Sequence, residues 1–530
     1  MAVIVGPIPT FYDTILERVR ATEHEAMVKR AGGALLLGIQ IDPASSRPIG
    51  TQLYMGLREM MLSGGIATGA RLPASRTLAR DLGISRTTVI EAFERLLAEG
   101  LIVSRVGSGS FVSDALRTER PQPQPRTGKA PVQQKQPQLS RAMGWAFAHF
   151  SRRERLPHRP RAFVTALPAY DAFPMAQWAR VAAKHWRGAR DDVMGYGEPY
   201  GHPRLREAIA THLRGNRGIA CEKEQIFVVG GAQQAFYQIG AALLNPGDRV
   251  WFENPGAIGA RNGLVACGAD LVPVPVDRDG LRVDEGLRQS AKFRLAFVTP
   301  SHQQPLGHVM SLERRFALLR AAEQAGAWII EDDYDGEFSF GRRPLPTLKS
   351  VDQTGLVIYV GTFSKSLFPA LRLGFMLVPH ALVETFERIS ASFIQGVPTS
   401  VQAIVADFIQ EGYFATHIRR MRRVYAERHA ALCEESARVL GGLLDIVPAE
   451  SGLHTIGRLP KGISERAATD AALEKGVIVS PIARFSISPT KDNGLVLGFG
   501  AVGPREIKEG IAKLAPALET LARGARRRVV

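Results

Sequence analysis

The tightest constraint on this chain lies in residues 327–372, where two short apolar runs each break into charged groups. Ala327-Trp328-Ile329-Ile330 runs into Glu331-Asp332-Asp333-Tyr334-Asp335. Leu356-Val357-Ile358-Tyr359-Val360 runs into Gly361-Thr362-Phe363-Ser364-Lys365, with Arg372 beyond. Runs of this length read as strands buried in a parallel sheet, and ligands sit at the carboxyl ends of such strands. Carboxylates therefore end one strand and an amine ends another. Pyridoxal phosphate needs such a pair, a lysine for the Schiff base and a carboxylate to keep the pyridine nitrogen protonated. Either half alone is ordinarily an acidic loop or a surface lysine. Both halves in this order, followed by Arg372, favour the site.

A chain of 530 residues has room for two or three domains. Its formal net charge of +16 fits contact with a polyanion such as nucleic acid. Three widely spaced cysteines, Cys221, Cys267 and Cys433, form neither a disulfide framework nor a zinc pattern, which suits a reducing cytoplasm. No apolar run reaches the ~18–20 residues of a membrane span, so no membrane partner is expected. Residues 1–37 form an N-terminal extension without the pattern of a secretory signal. They read either as an amphipathic helix over residues 11–28 or as sequence ahead of a start at Met27.

Residues 38–115 read as a small helical domain. Leu53, Leu57, Met60 and Met61 recur at helical spacing over residues 51–62. Ser75 is placed to cap a helix over 76–82 that Gly83 closes, and Ser85 to cap another over 86–99. The inner face of the latter is Val89, Phe93, Leu96 and Leu97. Two short helices joined by such a turn make a helix-turn-helix, which puts Arg86, Thr87 and Thr88 where recognition helices meet DNA. Residues 101–105 and 109–112 read as a hairpin, with 106–108 at its tip, hence a wing. The wording "GARLPASRTLARDLGISRTTVIEAFERLLAEGLIVSRVGSGSFV" resembles the winged helix of the GntR family of bacterial repressors. That resemblance implies DNA contacts from Arg76, Ser85, Arg86, Thr87 and Thr88, and from the wing near Gly109. Residues 116–161 are rich in Pro and Gln and in basic residues such as Arg152, Arg153, Arg155 and Arg159, and read as a solvated linker.

From residue 162 to 530, strand-like and helical segments alternate, which predicts an α/β fold with a mainly parallel sheet. A short apolar run over 225–229 leads through Gly230-Gly231-Ala232 into a helix, a candidate cup for the cofactor phosphate. The phrases "VVGGAQQAFYQI", "TPSHQQPLG", "AGAWIIEDDYDGEF" and "GTFSKSLFPALRLGF" are similar to fold-type I aminotransferases. The order winged helix, linker, aminotransferase is similar to the MocR subgroup of the GntR family. The resemblance implies Lys365 as the Schiff-base lysine, Asp332 at the pyridine nitrogen and Tyr334 at the ring hydroxyl. It implies Gly231, Ala232, Thr362 and Arg372 at the phosphate, with Tyr196 reaching that phosphate from the second subunit of a homodimer.

Three departures stand out. Ala257 occupies the place of the aromatic residue that stacks on the ring. Gln304 and Leu306 replace the usual Asn and Thr or Ser. The arginine that grips a substrate carboxylate is missing, with Val496 at its most fitting position; Arg484 or Arg458 could substitute. His302 and Gln303 border the same loop with a site role and a turn role both open, whereas Glu253 and Asn254 read as structural. These features predict a cytoplasmic regulator that binds an operator in double-stranded DNA, senses pyridoxal phosphate or an amino compound, and has little or no transaminase activity. The alternative is a working aminotransferase carrying an accessory DNA-binding domain.

Overall fold

The computed structural model describes residues 39, 41–105, 109–117, 138–151, 157, 159–188, 194–340 and 345–527. The candidate helix over 11–28, the wing tip 106–108, the tract 121–137, and Arg152, Arg153 and Arg155 lie outside these residues. The chain divides into two compact units, residues 1–135 and 136–530.

In the first unit, helix Ile49–Ser63 buries Leu53, Tyr54, Leu57 and Met61 and stops at Gly64, whose φ of 85° suits a residue without Cβ. Helix Ser75–Leu82 follows. Its N-cap is Ala74, with no side-chain bond, so Ser75 is the first helical residue rather than the cap; its Oγ accepts instead from Arg86 Nε at 3.4 Å. Gly83 closes this helix at φ 67°. Helix Arg86–Ala98 is capped by Ser85, whose Oγ accepts from Thr88 N–H at 3.1 Å. Its inner face is Val89, Ala92 and Leu96, while Leu97 is 45% exposed. The expected inward place of Leu97 is wrong because the turn ends there and Leu101 and Ile102 seal the core instead. Strands β1 (Ile102–Arg105) and β2 (Gly109–Val112) pair antiparallel to form the wing, and the backbone of residues 69–72 extends it with bonds to Ser110 and Val112.

The second unit holds an eight-stranded sheet of β3 (Ile226–Val229), β4 (Arg249–Asn254), β5 (Asp270–Asp277), β6 (Gly280–Leu281), β7 (Leu295–Val298), β8 (Trp328–Asp333), β9 (Val357–Thr362) and β10 (Gly374–Leu377), in the order β3-β10-β9-β8-β7-β4-β5-β6. The pairs from β9 to β5 are all parallel, whereas β10 runs against both its neighbours. The mainly parallel α/β sheet is thus present, and β3 and β7 are buried at every residue, as strands covered on both faces must be. Beyond it β11 (Asp445–Ile446), β12 (His454–Arg458), β13 (Ser480–Pro481) and β14 (Gly494–Gly498) form an antiparallel sheet in the order β11-β12-β14-β13. Gly498 N–H donates to Phe163 O at 3.0 Å, so the segment entering the unit is tied beside β14.

Part of the expected tether is folded. Ser140 caps helix Arg141–His149, which buries Ala146 against helix Ile258–Ala266. Asn262 locks the end of this segment, accepting from Ser151 N–H at 2.9 Å and donating to Ser151 O at 2.8 Å. Among the described residues, no helix is long and apolar enough to cross a membrane.

Candidate functional site

Parallel pairing sets β8 and β9 level, with Asp332 opposite Val360 and Asp333 opposite Gly361. The ends of both strands therefore open at the same edge, and a cavity of about 350 Å³ lies there, lined by Asp332, Tyr334, Thr362, Lys365 and Arg372. Alternation along β8 sorts the acidic run, since neighbouring side chains leave opposite faces of a strand. Glu331 accepts from the N–H groups of Leu348 (2.9 Å) and Lys349 (2.7 Å). Asp333 pairs with Arg217 and accepts from Tyr359 Oη. Only Asp332 of the strand's three carboxyls faces the cavity.

Asp332 is buried, and among the described residues its Oδ1 has no hydrogen-bond partner. Burial, reinforced by Asp333, Asp335 and Glu253, holds its pKa well above the usual carboxyl range, while Lys365 pulls the other way. Tyr334 is likewise held well above the usual phenol range, first by burial and then by the same carboxylates. Lys365 Nζ donates to Ala166 O at 2.6 Å. The lysine is thereby steered by the segment that Gly498 ties in place.

Gly231 has φ 108° and caps helix Ala232–Leu243. A Cβ there would meet the Arg372 guanidinium at 3.7–3.8 Å, so helix start and arginine close on one another. Thr362 Oγ1 accepts from Ser364 N–H at 3.2 Å, which shapes the turn before Lys365. The cup expected from the Gly-Gly turn and Arg372 are thus one wall of the same cavity.

Ala257 and Gln304 also line the cavity, together with Phe485. Leu306 is packed with Ile258, Ile456 and Val496 in an apolar cluster. Val496 both lines the cavity and belongs to that cluster, so the clamp position is apolar. Of the two possible substitutes, Arg484 lines the cavity and Arg458 is exposed outside it. Gln303 serves the turn: its Nε2 donates to Pro255 O (2.8 Å) and Gln304 O (2.9 Å), and its Oε1 accepts from Leu306 N–H. Asn254 and Glu253 act structurally, the former clamping Ser488 and the latter Thr299. Tyr196 is fully exposed and is not among the residues lining this cavity. Sequence reasoning missed the 163–166 segment and His454, both cavity walls brought in by the second sheet. No local pattern marks either.

In the first unit, Arg76, Ser85, Arg86 and Thr87 are exposed, Thr88 is half-buried, and Gly109 is exposed at the base of the wing. Ser85 and Thr88 spend their hydroxyls on one another at 2.8 Å and on the cap. Arg86, whose Nε reaches Ser75 Oγ, and Thr87 are the exposed polar side chains of that turn not used in the cap.

The family model for aminotransferase class I and II matches residues 168–499, and that for bacterial regulatory proteins of the gntR family matches residues 49–112. The probable rhizopine catabolism regulatory protein MocR of Rhizobium meliloti is 41% identical over 91% of this chain and 96% of its own. The HTH-type transcriptional regulator TauR of Rhodobacter capsulatus is 32% identical over 90% of this chain and 98% of its own. Among solved structures, the α-aminoadipate aminotransferase LysN of Thermus thermophilus, complexed with N-(5'-phosphopyridoxyl)-L-leucine, matches with a TM-score of 0.66 and 26% identity. That match covers 73% of this chain and all of the enzyme. A gntR-type winged helix joined to an aminotransferase-like unit, with relatives matched along nearly their whole length, places the chain in the MocR-type transcriptional regulators of the GntR family.

Proposed function

We propose that the second unit of this regulator binds pyridoxal phosphate at Lys365, and that an amino compound acting there changes how the protein engages its operator. The observation that carries this reading is Asp332. Its buried Oδ1 lacks a hydrogen-bond partner among the described residues and shares one cavity with an amine and a guanidinium. A protonated ring nitrogen answers the carboxyl, and a phosphate answers Arg372. When bound, the cofactor supplies an aldehyde that links reversibly to primary amines. Lys365 holds it covalently, Asp332 keeps the proton on the ring nitrogen, and Tyr334 donates to the ring oxygen. Gly231, Ala232, Thr362 and Arg372 hold the phosphate, and Gln304 borders the ring. The phosphopyridoxyl ligand of the LysN structure supports this assignment.

The apolar clamp position at Val496 favours sensing over turnover of ordinary α-amino acids. Signalling then requires that the ligand favour one arrangement of the protein by differential affinity. A homodimer suits both the paired half-sites that winged-helix proteins read and the second-subunit role of Tyr196. An absorbance spectrum with added pyridoxal phosphate tests the core of the reading. A band at about 410–430 nm that disappears in Lys365→Ala is the expected result. Its absence from the unaltered protein would sink the proposal, and Ala257 would then be the first place to look.

A further inference from the structure

Behind Tyr334 lies a buried group that the cofactor reading leaves unused. His302 Nδ1 sits 2.9 Å from Asp335 Oδ2 and 3.1 Å from Tyr334 Oη. Both His302 and Asp335 are almost fully buried. One imidazole nitrogen carries either a hydrogen or a lone pair, so it cannot donate to one neighbour and accept from the other. A carboxylate can only accept. With Asp335 as the carboxylate, Nδ1 carries the hydrogen and shares it between Asp335 Oδ2 and Tyr334 Oη. The phenolic oxygen is thereby an acceptor on its inner side, and its own hydrogen must point elsewhere. Tyr334 lines the cavity that holds Asp332 and Lys365, so the open direction is toward them.

The space around this pair is reserved for it. A Cβ on Gly452, itself at φ 82°, would meet His302 Cε1 at 2.2 Å, Nδ1 at 2.4 Å and Asp335 Oδ2 at 2.7 Å. Nothing larger than glycine fits there while the pair stays where it is. His454 stacks beside Tyr334, its ring tilted by 20°, and its Nε2 donates to Pro305 O at 3.2 Å. Burial, with His302 adding to it, lowers the His454 pKa to about 3, so this ring stays neutral and takes no part in a titration near neutrality.

We propose that His302 and Asp335 are positioning residues that aim the Tyr334 hydroxyl, as a hydrogen-bond donor, at the ring oxygen of the bound cofactor. The proposal rests on the pyridoxal phosphate reading above. Its consequence follows from charge. The ring oxygen is most negative once the nitrogen joining cofactor to Lys365 has lost its proton. A donor aimed at that oxygen stabilises the deprotonated form and lowers the pH at which the visible band titrates. The other ionisable groups around Tyr334 are Asp332, Asp333 and Glu253 from β8 and β4, His454 from β12, and Lys365. Glu253 is pushed up to about 7 by burial, so it is kept in every variant.

The test is a pH titration of the visible band in His302→Phe, His302→Gln, Tyr334→Phe and the double variant His302→Phe/Tyr334→Phe. Loss of the donor raises the midpoint, by about one unit in His302→Phe, which is a tenfold change in proton affinity. His302→Gln keeps an amide donor near Nδ1 and stays close to the unaltered protein. In the Tyr334→Phe background His302→Phe adds nothing, because it acts only through that hydroxyl. A midpoint unmoved in His302→Phe, or moved as far with Phe at 334 as with Tyr, overturns the proposal. Should His302→Phe fail to fold, His302→Gln against His302→Leu decides by the same midpoint: the two must differ. A missing band in the unaltered protein would overturn the cofactor reading itself, a separate outcome.

Discussion

Asp332 and Glu253 are both buried carboxyls, yet they should answer to different experiments. The Asp332 carboxyl faces the cavity with an unpartnered oxygen, and Asn keeps its shape while removing the charge. A charge-assisted hydrogen bond contributes about 1.5–3 kcal/mol, so Asp332→Asn should weaken pyridoxal phosphate binding by roughly ten- to a hundredfold, measured by titrating the visible band. Glu253 is satisfied by Thr299 and Gln303 and acts on stability instead. Its pKa rises from 4.5 to about 7 by burial, so the folded chain keeps a proton that the unfolded chain releases first. That contribution is fully present below pH 4.5 and is lost as pH rises toward 7. Glu253→Gln should therefore flatten the fall of the urea midpoint across this window, with the share of Glu331, also raised to about 7, remaining. The choice of Asp332 from four acidic residues came from the family resemblance, and the alternation of faces along the strand agrees with it. The role of His302 was not legible, because Asp335 and Tyr334 meet it only through the pairing of β7 with β8, and Gly452 only through the packing of the second sheet.

At the scale of elements, the winged helix separates folding from reading within a single turn. Ser85 spends its hydroxyl on the cap, and Arg86 is exposed. Ser85→Ala should lower the stability of the first unit by about 1 kcal/mol, seen as a lower denaturant midpoint. Arg86→Ala should leave that midpoint within about 0.5 kcal/mol while weakening operator binding; if the guanidinium meets a phosphate, the salt slope drops by about 1. Equal effects of both substitutions on stability would remove Arg86 from the reading surface. The three helices and the wing were legible because caps, turn glycines and apolar spacing agree with one another. One element and one residue escaped. Helix Arg141–His149 lies in a stretch whose composition says linker, and what folds it is an Ala146 contact and an Asn262 clamp more than a hundred residues away. Leu97 fits the helical spacing but falls on the last turn, where the following strand takes its place in the core.

For the whole molecule, the unanswered question is what Tyr196 does. It is fully exposed, as are large parts of Trp186 (60%), Met194 (72%) and Phe393 (65%). A second copy of the chain is the cover that the homodimer reading supplies for them. Tyr196 would then complete the phosphate site of the opposite subunit. A hybrid experiment separates this from a role within one subunit. Protomers bearing Lys365→Ala are mixed with protomers bearing Tyr196→Phe, and the hybrid is isolated. If Tyr196 acts across the interface, one site of the hybrid lacks both groups and the other is fully native. Half of the sites then bind pyridoxal phosphate with the affinity of the unaltered protein. If Tyr196 acts within its own chain, one site lacks the lysine and the other lacks the hydroxyl, and no site binds at native affinity. A titration of the visible band counts native sites directly, and a light-scattering mass of two chains confirms the species measured. Half-site recovery is the expected outcome, and its failure in a verified dimer would return Tyr196 to the surface.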